Sequence, residues 1–103
     1  MAGVRGAMEK QAQEVSELLK TLSHPVRLML VCTLAEKEYS VGELEAMVGV
    51  GQPTLSQQLG VLRDAGIVQT RRDAKRIYYK LTEAKAAKLV GALNAIFCQE
   101  SSA

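Results

Sequence analysis

Val15, Leu18, Leu19 and Leu22 fall at i, i+3, i+4 and i+7, with Lys10, Glu14, Glu17 and Lys20 elsewhere on the surface. That spacing predicts an amphipathic helix from about Glu9. Residues 1–8 carry no such period and are expected to be disordered. Ser23-His24-Pro25 reads as a restart, with Ser23 as N-cap and Pro25 in the first turn. The helix that follows, about 24–36, is apolar nearly all round. Val26, Met29, Leu30 and Leu34 form one face and Leu28, Val31, Cys32 and Ala35 another, which places it in the middle of the fold. Ser40-Val41-Gly42-Glu43 has the form of a capping box opening a short helix to about Val48, ended by Gly49-Val50-Gly51. Pro53 starts another, in which Leu55, Leu59 and Leu62 share one face. Gln52, Ser56, Gln57, Gly60 and Asp64 lie opposite, flanked by Thr54 and Arg63. Ile67 to Arg72 and Arg76 to Leu81 then alternate as two strands around Asp73-Ala74-Lys75. Thr82 caps a long last helix, about 83–98, with a stripe of Ala86, Leu89, Val90, Leu93, Ile96 and Phe97.

The expected fold is therefore mainly α with a small β-hairpin, in the order α-α-α-α-β-β-α. One domain covers 9–99, and a tail covers 100–103. A chain of 103 residues leaves no room for a second core. With 48% apolar residues and a net charge of +2, it is not a disordered polyelectrolyte. Its longest apolar stretch, Leu28 to Ala35, is too short to span a bilayer. No secretory signal is evident, so a cytoplasmic location without membrane association is expected.

The net charge hides an asymmetry. Residues 1–50 carry 5 basic and 7 acidic side chains, whereas residues 51–80 carry 6 basic against 2 acidic. A basic segment in a near-neutral domain fits either a solvated hairpin or a polyanion partner. The order of elements weighs toward the second. Two short helices around Gly49-Val50-Gly51 match a helix-turn-helix, whose second helix enters the major groove of double-stranded DNA. Gln52, Thr54, Ser56 and Gln57 are small polar residues suited to base edges and phosphates. Arg63 flanks them, and Arg71, Arg72, Lys75 and Arg76 on the hairpin suit phosphates and the minor groove.

Ser40-Val41-Gly42-Glu43-Leu44, Gly51-Gln52-Pro53-Thr54-Leu55-Ser56-Gln57-Gln58-Leu59, Leu62-Arg63-Asp64-Ala65-Gly66-Ile67-Val68 and Tyr78-Tyr79-Lys80-Leu81 together resemble the bacterial ArsR/SmtB winged-helix repressors. The likeness covers nearly everything from Glu9 to Cys98. It implies a winged helix-turn-helix homodimer built through the first and last helices, which leaves its operator when an inducer is sensed. It implies no enzyme activity and no cofactor.

Metal-sensing relatives carry Cys-x-Cys on the short helix, or Asp, His and Glu sets on the last. Here Val41 to Val48 holds neither Cys nor His, and the last helix lacks Asp and His. Only Cys32, Cys98 and His24 remain, a poor set for a site wanting about four ligands. His24, near a helix start, reads as a surface or capping residue. Each cysteine taken alone reads as inert packing. A thiol oxidoreductase is disfavoured, because there is no Cys-x-x-Cys motif. In the sulfur-responsive branch of the family, however, two cysteines at corresponding places are bridged within one subunit by reactive sulfur species. Cys32 and Cys98 match those positions, so the resemblance implies a thiol switch. Metal sensing, or DNA binding without sensing, stays as the alternative.

Overall fold

The computed structural model describes residues 2–97, with side chains from Arg5 onward; Cys98 and the tail lie outside the described residues. The first helix, α1, runs Ala2–Leu22 and so starts well before Glu9. This corrects the expectation for residues 2–8. Ala2, Ala7 and Met8 are strong helix formers, and an Arg5–Glu9 ion pair at 3.4 Å lies at i,i+4 spacing. Arg5 to Met8 are all exposed, so no apolar period is needed to hold that turn against a core.

Helix α2 spans Pro25–Leu34, and its N-cap is His24 rather than Ser23. His24 Nδ1 accepts from the Val26 N–H at 3.2 Å, while Ser23 closes the turn after α1. Helix α2 packs against α1 and against the later elements α3 (Val41–Val48), α4 (Thr54–Asp64), β3 (Arg76–Leu81) and α5 (Ala84–Phe97). Leu30, Val31 and Leu34 are sealed within that shell, which is the central place its all-round apolar composition predicts.

Tyr39–Ser40 form a short strand, β1, that the sequence pattern did not reveal. Two residues are too few for an alternation to register. They pair antiparallel with β3, Tyr39 opposite Tyr79 and Ser40 opposite Tyr78. With β2 (Val68–Asp73) the sheet has the order β1-β3-β2. The expected capping box on α3 is complete: Glu43 N–H donates to Ser40 Oγ at 3.2 Å, and Ser40 N–H donates to Glu43 Oε1 at 2.9 Å. Gly49 ends α3 at φ 74°, a left-handed position where glycine has no Cβ penalty. Thr82 does not cap α5. Its hydroxyl donates to the Ile67 carbonyl at 3.2 Å, and Glu83 takes over as the acceptor of the Lys85 N–H at 3.0 Å.

The core collects Leu30, Leu44, Leu55, Leu59, Leu62, Val68 and Val90, all nearly fully buried. It seats the inner face of α4 against α2 and leaves the polar face outward.

Candidate nucleic-acid interface

Helix α4 has two chemically distinct sides. Leu55, Leu59 and Leu62 are buried together with Gln58, whereas Gln52, Thr54, Ser56, Gln57 and Arg63 are exposed around its outer side and entry. Ser56 Oγ donates to Gln52 Oε1, tying the turn before α4 to its first turn. The helix-turn-helix spacing thus presents a convex row of short polar side chains, the shape and chemistry that a major groove accepts.

The β2–β3 hairpin supplies the cations. Arg72 stands opposite Ile77 and Asp73 opposite Arg76, with Ala74 and Lys75 at the tip. Ala74 sits at φ 57°, in the left-handed region that reverses the chain there. Ser56 of α4 lines one groove with Lys75, Arg76, Ile77 and Tyr79 of the hairpin and with Ser40 to Glu43 and Ala46; its volume is about 730 Å³. The fold therefore brings the polar helix face and the tip of the hairpin, about twenty residues apart in sequence, onto the same side.

Arg71 differs from its neighbours. Its Nε and Nη2 donate to the two oxygens of Glu38 at 2.9 and 2.7 Å, and its guanidinium lies 4.5 Å from the Tyr78 ring centre. Asp73 is 3.7 Å away. The hydrogen bonds from Arg71 hold the Glu38 carboxyl below its ordinary pKa, and the same pair raises that of Arg71. Glu38 was missed in the sequence because its partner lies 33 residues downstream. A second polar link, Arg27 to Gln58, was missed for the same reason.

Of the two cysteines, one lies within the described residues. Cys32 is half-buried on α2 at the edge of the core. Helix α5, which leads toward Cys98, packs against α2. Cys98 itself lies outside the described residues. Among those residues, no group of three or more His, Cys, Asp and Glu side chains is placed to hold a metal ion, and no helix is long and apolar enough to cross a membrane.

Comparison with known proteins places this geometry in context. Residues 24–70 match the model of the bacterial regulatory protein arsR family. The chain is 72% identical over 96 residues to the biofilm growth-associated repressor of Xylella fastidiosa, covering 93% of this chain and 84% of that one. It is 36% identical over 92 residues to the transcriptional activator HlyU of Vibrio cholerae, covering 89% and 85% of the two chains. The crystal structure of the transcriptional repressor BigR from Xylella fastidiosa superposes with a TM-score of 0.86 at 73% identity, over 91% of this chain and 96% of that one. Reduced HlyU from Vibrio cholerae gives a TM-score of 0.86 at 35% identity, over 90% and 98%. The expected winged helix-turn-helix architecture is thereby shown, and the chain belongs to the arsR family of bacterial regulatory proteins, as a DNA-binding transcriptional regulator and not an enzyme.

Proposed function

We propose that the chain is a homodimeric repressor that holds operator DNA through α4 and the hairpin, and lets go when reactive sulfur species bridge Cys32 and Cys98. The observation that carries the DNA-contact reading is the shared groove, where Ser56 of α4 meets Lys75 and Arg76 of the wing. Gln52, Thr54, Ser56 and Gln57 read base edges, Arg63 flanks them, and Arg71, Arg72, Lys75 and Arg76 serve the backbone and minor groove. Dimerisation is supported by apolar side chains that α1 and α5 leave uncovered: Val15, Leu19, Ile96 and Phe97 are all exposed. Two such subunits set their recognition helices for successive major grooves only at a spacing near 34 Å.

The switch rests on the packing of α2 against α5 and on the strong likeness to a named repressor. A Cys thiolate takes the outer sulfur of a persulfide R–S–SH, releasing R–SH and leaving a protein persulfide. The second thiol attacks the protein-bound sulfur, the Cys32–Cys98 disulfide forms, and hydrogen sulfide leaves. The persulfide is reduced by two electrons and the two thiols are oxidised by two. The bridge ties α5 to α2, and because α5 also serves the dimer, the spacing of the two recognition helices changes. A coupling of about 1–3 kcal/mol is enough to alter occupancy by roughly 5- to 150-fold.

The test is a DNA gel shift of reduced and polysulfide-treated protein, with intact mass measured on the same samples. The wild type is expected to lose two hydrogens or gain bridging sulfur as it releases DNA. Cys32→Ser and Cys98→Ser should each stay bound. Variants that release like the wild type would leave both cysteines as packing residues and end the switch reading.

A further inference from the structure

Three helices meet at one guanidinium. Arg27, on the first turns of α2, donates from Nε to the Thr21 carbonyl in the last turn of α1 at 2.6 Å, and from Nη1 to Gln58 Oε1 on α4 at 2.8 Å. Gln58 is only 8% exposed, the one amide on the leucine face of α4. We propose that Arg27 is a positioning residue for sequence readout, locking the rotation and axial placement of α4 against the end of α1.

The other buried residues of α4 are Leu55, Leu59 and Leu62. Apolar packing of this kind is non-directional and tolerates small slides of a helix along its axis. A hydrogen bond weakens steeply once its angle or distance drifts, so a planar fork with one branch on each helix resists such a slide. Gln57 and Ser56 precede Gln58 on the outer face, so a small turn of α4 moves them directly at the base edges. Phosphate contacts, made by long cationic side chains, absorb the same displacement. Loss of Arg27 should therefore damage discrimination between sequences more than affinity for DNA in general. Because α1 contributes to the proposed dimer face, the same link carries subunit geometry to the reading helix. The inference rests on the proposed seating of α4 in the groove.

The experiment uses the full-length reduced protein. Duplexes enriched by the wild type from a random pool are compared with shuffled duplexes of the same composition, with Kd measured by fluorescence anisotropy at several salt concentrations. Arg27→Met and Gln58→Met are each expected to lower the preference for the enriched duplex roughly tenfold. Affinity for the shuffled duplex and the salt slope should stay as in the wild type. The double variant should lose no more than either single one. Arg27→Lys keeps charge and stem but not the fork, and should lose preference too, which covers the case of a poorly folded methionine variant. A salt slope reduced on both duplexes would make Arg27 a phosphate contact and overturn the inference. So would an unchanged preference, or additive losses in the double variant. A wild type that enriches no duplex at all would strike the DNA-contact reading itself, and this inference with it.

Discussion

Arg71 and Glu38 meet as a two-pronged pair, Nε and Nη2 of the guanidinium on the two carboxylate oxygens at 2.9 and 2.7 Å. Glu38 immediately precedes β1, and Arg71 lies on β2 at the far side of the sheet. The pair therefore spans the sheet and fastens the wing to the body of the domain. Arg71 is held in place by this pair, whereas no ion pair fixes Arg72, Lys75 or Arg76 among the described residues.

A pH dependence follows from this pair. The Glu38 carboxyl is held below its ordinary value of 4.5, first by the Arg71 hydrogen bond. A depressed folded-state pKa gives stability that is present above the unfolded value and lost as pH falls through the folded one. Thermal unfolding of Glu38→Gln should accordingly start at a lower midpoint than the wild type at pH 7, and the gap should close as the pH drops below 4.5. Parallel curves across that range would show that the pair contributes nothing to the fold.

The wing cations should differ in their salt signatures. Arg72→Ala and Arg76→Ala are each expected to weaken binding to many sequences alike and to reduce the salt slope by about one unit. Arg71→Ala should change the slope less, since its guanidinium must first leave Glu38 or share it. Gln57→Ala should instead relax preference at particular base pairs with the slope intact. Equal slope losses for Arg71 and Arg76, measured by titration at several salt concentrations, would contradict this division.

The uncovered apolar faces give a third expectation. Val15 is 50% exposed, Leu19 48%, Ile96 64% and Phe97 75%, on the two helices that would build the dimer. Leu19→Glu and Ile96→Glu place a charge where a partner would bury it, and that burial carries a heavy desolvation cost. Sedimentation equilibrium should find monomers for both variants, with operator affinity lost in step and helical content retained. Dimers of unchanged stability would move the interface elsewhere.

Much of this molecule is local, and local features can be read from the chain. The α3 capping box needs only Ser40 and Glu43 at their spacing, and the leucine row of α4 needs only a helical period. The hairpin followed from alternation, and the match of the whole pattern to a family came from the same short motifs. The errors were also local: His24 displaced Ser23, and Glu83 displaced Thr82, because neighbouring residues compete for the same unpaired N–H groups. What the chain did not reveal was who meets whom across the fold. β1 exists only because β3 is there to pair with it, and Glu38 with Arg71, like Arg27 with Gln58, join positions more than thirty residues apart. Side-chain polarity and period are properties of a residue and its near neighbours. A hydrogen bond between distant segments depends on where packing of the core has already set their backbones, and that is decided only when the helices and sheet close on one another.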